Sequence, residues 1–314
     1  RNSKYILLDG PVFQNSPAWC LHPWVCEHVT IRNVNVRNPW HSQNGDGLDV
    51  ESCRYVLVED SAFDVGDDAI CMKSGKDEEG RQLGIPSEKI WIRNCVVYHG
   101  HGGFVIGSEM SGGVREVEVD NCTFIGTDVG LRFKSTRGRG GCVEKIRIRN
   151  IHMSRIAGEA ILFDLFYGLS KEQSERRDLP VTEETPQFTN ITIEHVICKG
   201  ASAAVRLNGL PEMPVSHFEL SHAVFETKEG IVCQNGKQMK LSHINMQNQS
   251  GPGIVLHQCK EVQMQKLNLD CNANECIQIS GEESERIRWE DVTAAGAEPL
   301  AAIGKEVKST AIQN

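Results

Sequence analysis

One short pattern recurs along the whole chain: apolar, any, apolar, any, a polar or small residue, then another alternating pair. Its copies are "ILLDGPVF" from Ile6, "VTIRNVNV" from Val29, "VLVEDSAF" from Val56, "IWIRNCVV" from Ile90, "VEVDNCTF" from Val117 and "IRIRNIHM" from Ile146. They continue as "ITIEHVIC" from Ile191, "FELSHAVF" from Phe218, "MKLSHINM" from Met239, "VQMQKLNL" from Val262 and "IRWEDVTA" from Ile287. Successive starts are 23, 27, 34, 27, 29, 45, 27, 21, 23 and 25 residues apart. Period-two alternation marks strands with one buried face, and no helical periodicity of useful length separates them. A short strand cannot bury that face alone, but a stack of them at this period can. The pattern therefore predicts an all-β chain wound as a right-handed parallel β-helix.

Two steps are long because they carry polar, loop-like insertions, 74–87 "SGKDEEGRQLGIPS" and 168–187 "GLSKEQSERRDLPVTEETPQ". Both should project from one side of the stack. Copies run almost to both ends, so 1–314 reads as a single domain. No covering segment precedes the copy at Ile6, and an open coil needs cover, so the reading expects sequence upstream.

Between the copies lies a second set of strands, among them "GLDV", "AICMKS", "GFVIGS" and "GLRFKS". Aligned by their small-apolar starts, they bring Asp46, Asp67, His101 and Asp128 to the same or adjacent columns of successive coils. Stacked strands are about 4.8 Å apart, so these charges gather at one edge instead of scattering through a core. Gly66 before the Asp67-Asp68 doublet is expected to permit a bend. Arg132 and Lys134 are two apart on a strand and share a face. With Leu131 and Phe133 inward, both cations point out beside the carboxylates, and Arg137 and Arg139 follow in "TRGRGG". Carboxylates fit for acid and base work beside paired cations suit hydrolysis of an acidic sugar polymer. Asp49 and Glu51 lie near the column and read as supporting or surface residues.

The net charge of -9 argues against a nucleic-acid partner, and the lack of an 18-residue apolar run argues against a membrane-spanning helix. The twelve Cys form no C-x-x-C pair. They read as small buried side chains rather than disulfides. That favours a cytoplasmic setting while leaving a periplasmic or secreted one open, and the opening Arg1-Asn2-Ser3-Lys4 carries no leader to read.

Taken in order and spacing, "NGDG", "GDD", "GHGGFVIGS" and "RFK" resemble the four motifs of the polygalacturonases, family 28 of the glycoside hydrolases. The resemblance covers about residues 5 to 295 and is strongest to bacterial enzymes that clip galacturonate from chain ends. It implies cleavage of α-1,4-galacturonosyl linkages in pectin, polygalacturonate or their oligomers, with inversion and with neither cofactor nor metal. By position, it implies that Asp67 is the general acid and that Asp46 and Asp68 activate the water. Asn44 then orders substrate or water, and Arg132 and Lys134 hold the galacturonate carboxylate. Tyr167 matches a tyrosine that packs on the sugar. Two departures stand out. The first motif has Gly where the family more often has Thr, and "HGHGGFVIGS" is one residue longer than the fungal form. His99 and His101 are therefore both candidates for the motif histidine, and His101 is favoured because it stacks on the acidic column.

Carboxylates this close cannot all ionise freely, so like-charge repulsion should raise at least one pKa and leave a proton on the cluster near neutral pH. Two other readings compete. A β-helix pectate lyase would use Ca²⁺ with an Arg or Lys base. A non-catalytic uronate-binding solenoid would have no need for an acidic column beside a histidine.

Overall fold

Each copy of the pattern turns a corner at its fifth residue. In the computed structural model, which describes residues 1–175, 179–295 and 299–313, the fifth residues include Gly10, Asn33, Asp60, Asn94, Asn121, Asn150, His195, His222 and His243. Their φ angles run from 50° to 89°. Left-handed backbone is free for Gly and least costly for Asn, Asp and His, which explains why this position is polar or small throughout. The corners also hold one another. Asn94 Nδ2 donates to Asp60 Oδ1 (3.0 Å) and Asn121 Nδ2 to Asn94 Oδ1 (2.8 Å). Further along, the rings of His195, His222 and His243 stack at 4.9 and 4.5 Å. Asn121→Val should cost about 1–2 kcal/mol, because a β-branched residue resists this φ. Denaturant titration of the two proteins checks it.

The coils stack as a parallel β-helix. Among the described residues, one sheet has sixteen strands and a second has ten. The second starts with Leu48–Glu51, Asp68–Lys73, Gly102–Ile106, Val129–Lys134 and Glu159–Asp164, and ends with Ala301–Ile303. Third-position residues such as Ile31, Val58, Ile92, Val119 and Ile148 are at most 1% exposed and form a continuous apolar ladder inside the stack. Phe133 lies flat on Phe163 at 4.3 Å in the next coil.

Both insertions leave the same edge of the ten-stranded sheet, as expected, but neither is wholly loop. The first carries the helix Asp77–Leu83, closed by Gly84 in left-handed conformation. The second carries the turn of helix Lys171–Ser174, capped reciprocally by Ser170 and Gln173. Residues 176–178 of that insertion lie outside the described residues. The two insertions and the "TRGRGG" loop are laced into one wall. Arg81 Nη1 donates to Gly138 O (2.6 Å) and Arg81 pairs with Glu184 (3.6 Å), while Arg139 pairs with Asp77.

The cysteine reading needs one correction. Cys271 and Cys276 form a disulfide, their Cα atoms 6.1 Å apart, within the range that a bridge spans. The other ten are free, and all but Cys20 and Cys142 are buried.

Candidate active site

The acidic column forms where a turn feeds each strand of the ten-stranded sheet. Asp68, Gly102 and Val129 are in register on successive strands, so Asp67, His101 and Asp128 share the preceding column. Leu48 pairs with Ile70, which sets Asp46 over Asp68 rather than over Asp67. One oxygen from each of Asp46, Asp67 and Asp68 lies within 4.8 Å of the others. The loop carrying Asp46 is pinned from both ends. Asn38 Nδ2 donates to Gly45 O (3.2 Å) and Asp46 O (3.1 Å), and Cys20 N donates to Asp46 O (3.0 Å). Gly66 is needed here for a different reason from the bend expected of it. Its φ is not left-handed; a Cβ there would lie 2.4 Å from Pro39 O, so only Gly lets this loop close down beside Asp67.

The cations reach the cluster from one strand. Lys134 Nζ lies 2.7 Å from Asp68 Oδ2 and Arg132 Nη1 lies 3.3 Å from Asp68 Oδ1, and Asp68 is 1% exposed. To get there, both cross the strand Gly102–Ile106. Glycine is needed at 102 for another reason: a Cβ at this position would lie 2.4 Å from Cγ2 of Val105, and only in ordinary contact, at 3.5 Å, with Arg132. The half-buried Tyr167 presents its ring to both cations, with Lys134 Nζ 5.0 Å and Arg132 Cζ 5.8 Å from its centre. Asn44 is exposed on the turn two residues before Asp46.

His101 Nδ1 lies 3.1 Å from Asp67 Oδ1, and its Nε2 lies 3.8 Å from Asp128 Oδ2. His99 faces elsewhere: its Nδ1 donates to Val65 O (2.7 Å) and its ring stacks on Trp40 at 4.0 Å. Of the two histidine candidates, then, His101 meets the cluster. Arg137 is engaged by Glu212 (2.6 and 2.9 Å), and Arg139 by Asp77, so both belong to the wall.

Electrostatics divide the carboxyls. Burial and the charge of Asp68 push Asp46 up to about 7, against the pull of Lys73. Burial also pushes Asp67 up, but the hydrogen bond and charge of His101 outweigh it and hold Asp67 below its ordinary value. The hydrogen bond to Asp67 in turn raises His101. Burial first, and repulsion from Asp68 second, thus favour a proton on Asp46, while the contact with His101 favours the ionised form of Asp67.

Sequence reasoning passed over Lys73 and Trp19. Lys73 is 5% exposed, with Nζ 3.4 Å from Asp49 Oδ1 and 4.4 Å from the centre of the Trp19 ring. Asp49, read as supporting or surface, is completely buried. A signal was present: "AICMKS" and "GLRFKS" place Lys73 and Lys134 alike on their strands.

Among the described residues, Asp46, Asp67 and Asp68 are the one group of acidic or histidine side chains close enough together to hold a metal ion. Lys134 and Arg132 pair with Asp68, and His101 with Asp67. A cavity of about 500 Å³ elsewhere, lined by Lys4, Glu27, Arg54, Glu88 and Arg115 among others, contains none of the candidate residues.

A probable polygalacturonase from Vitis vinifera is 29% identical over 70% of this chain and 44% of its own length. An exo-poly-alpha-D-galacturonosidase from Dickeya chrysanthemi is 28% identical over 60% of this chain and 31% of its own length. The chain thus spans less than half of either relative. The crystal structure of a hyperthermoactive exopolygalacturonase from Thermotoga maritima superposes with a TM-score of 0.69 at 34% identity, covering 79% of this chain and 53% of that one. The sequence profile of the glycosyl hydrolases family 28 matches residues 3–235, which take in the whole acidic column, both cations and Tyr167. On that match and on the parallel β-helix that carries it, the chain belongs to glycosyl hydrolases family 28.

Proposed function

We propose that the chain hydrolyses α-1,4-galacturonosyl linkages of polygalacturonate, pectin or their oligomers, acting from chain ends. The observation that carries this reading is the approach of Arg132, Lys134 and Tyr167 to a cluster of three carboxylates. The cations recognise a uronate, and the carboxylates cleave the bond beside it. Asp67 Oδ1 is occupied by the N–H of Asp68 (2.9 Å) and by His101, which leaves Oδ2 for the glycosidic oxygen. Because His101 holds Asp67 toward its ionised form, Asp67 takes up a proton from His101 and gives it to the leaving glycosidic oxygen. Asp46 and Asp68 take the proton of the attacking water, and Asn44 orders it. Asp46, held near 7, must be ionised for this, so activity should fall on the acid side of neutral. Inversion is what the family resemblance implies, with water attacking from the side opposite the acid. Terminal attack is supported by the wall that Arg81, Arg139 and Glu184 lace at the strand ends beside Lys134.

Incubation with polygalacturonate and sizing of the products tests the whole reading. Free galacturonate from the outset, with no ultraviolet absorbance and no loss on chelation, is the expected result. A ladder of oligomers would refute terminal attack. Absorbing products lost with chelator would make it a lyase, and binding without new reducing ends would make it a binding module. Arg139→Ala should loosen the wall and add internal cuts, seen as a faster fall in polymer viscosity per bond broken; an unchanged release of free galacturonate alone would show that the wall does not set the mode.

A further inference from the structure

Terminal attack leaves a bound chain one way out of the cleft. The wall stands at the strand ends beside Lys134. A chain whose last uronate meets Arg132 and Lys134 must therefore leave past the strand starts, over the acidic column. An aromatic ring stands on that side. Trp40 lies on the loop that carries Asn44 and Asp46, and this loop is fastened one turn ahead of the column. Asn38 N donates to Asp64 O (3.0 Å), and Pro39 O closes over Gly66, the neighbour of Asp67. Trp40 Nε1 donates to Asp64 Oδ1 (2.7 Å), and the ring lies flat on His99 at 4.0 Å, the planes 6° apart. Asp64 and His99 are the last residues of the strands Ala62–Asp64 and Val96–His99, just before the turns that bring Asp67 and His101 to the column. His99 is itself fixed to Val65 O.

So anchored, Trp40 is still 62% exposed. Its indole N–H is satisfied and one ring face is covered, yet the rest of a large apolar side chain stays in water. Apolar surface held out in this way marks a contact to be made. The other exposed Phe, Tyr or Trp rings among the described residues, Tyr5, Trp91 and Tyr98, stand on strands of the sixteen-stranded sheet. Trp40 is the one on the loop of the acidic column. One side of a galacturonate ring presents adjacent C–H groups, an apolar patch whose hydrogens are slightly positive. That patch matches the negative face of an indole. Because His99 and Asp64 already fix the ring, little side-chain freedom remains to be lost on binding.

We propose that Trp40, propped by His99 and Asp64, is a stacking platform for the sugar on the far side of the scissile bond. It recognises the face of that sugar, where Arg132 and Lys134 recognise the charge of its neighbour. The identity of the sugar rests on the proposed hydrolase reading.

Equilibrium binding to Asp67→Asn, which holds substrate without turning it over, tests this with two probes, galacturonate and trigalacturonate. Adding Trp40→Ala should weaken trigalacturonate about tenfold, the scale of an aromatic contact, and galacturonate, which fills the cation site, by less than about twofold. The loss should be equal at low and high salt, since no charge is involved. Trp40→Phe should regain most of the affinity, because a flat ring remains although the bond to Asp64 is gone. Should Trp40→Ala fail to fold, Trp40→Leu, which keeps bulk without a ring face, is read in its place. A tryptophan that merely props the loop of Asp46 would weaken both probes alike and would not be rescued by Phe. That result, or an unchanged affinity for trigalacturonate, overturns the platform. If neither probe binds any form of the protein, the uronate reading fails and the inference falls with it. Trigalacturonate binding that depends on Trp40, without hydrolysis by the unaltered chain, refutes the hydrolase reading and keeps the platform.

Discussion

Asp67→Asn lowers kcat on oligogalacturonate by about 10²–10⁴-fold, the usual cost of a general acid, and leaves the melting curve near that of the unaltered chain. The fold should hold because Asn keeps the acceptor at Oδ1 that receives the N–H of Asp68. What it loses is the proton. The contact with His101 holds Asp67 below its ordinary value and raises His101, so the acidity of Asp67 on the pathway depends on that histidine. His101→Gln should accordingly lower kcat as well, by less, and flatten its loss toward high pH. Turnover of Asp67→Asn within threefold of the original would sink the assignment of the acid. In that event Asp46, pushed up to about 7 chiefly by burial, becomes the candidate.

Much of this was legible in the chain because a coil repeat converts spacing into proximity. The fifth position of each copy was visible as polar or small, and its reason is the left-handed corner. The stacking of His101 and Asp128 behind Asp67 followed from aligned strand starts. Alternation alone turned Leu131 and Phe133 inward and left Arg132 and Lys134 to face the cluster. Other features hid because they depend on contacts between coils, which no local pattern encodes. Gly66 looked like a bend and serves as a gap for Pro39. Gly102 reads as part of a histidine motif, and its missing side chain makes room for Val105. Lys73 was hidden by its own strand, since a lysine at an outward position reads as solvated until a tryptophan from another coil is seen over it. The opposite pulls on Asp46 and Asp67 are not written in the spacing, because one turns on burial and the other on the contact with His101.

Lys134→Met is expected to have the largest effect on stability. Lys134 is 6% exposed and holds an aspartate that is 1% exposed. Removing one partner of a buried pair leaves the other charge uncompensated, at about 3–5 kcal/mol. Arg132, at 3.3 Å from the other oxygen of Asp68, softens this without replacing it. Adding Asp68→Asn should return most of the lost stability, because the stranded charge is gone, while activity stays lost, because substrate grip and water activation are both gone. Denaturant titration of the two single variants and the double gives the coupling, and simple additivity would show that the pair is not what holds Asp68 in place. Arg132→Ala separates recognition from folding. Its side chain is more exposed and its contact with Asp68 longer, so the fold should tolerate the loss. A charge-assisted hydrogen bond is worth about 1.5–3 kcal/mol. The preference for free over methyl-esterified substrate should therefore shrink by about 10–100-fold. If that preference survives intact in Arg132→Ala while Lys134→Met merely unfolds, neither cation reads the uronate, and recognition passes to groups outside the strand Val129–Lys134.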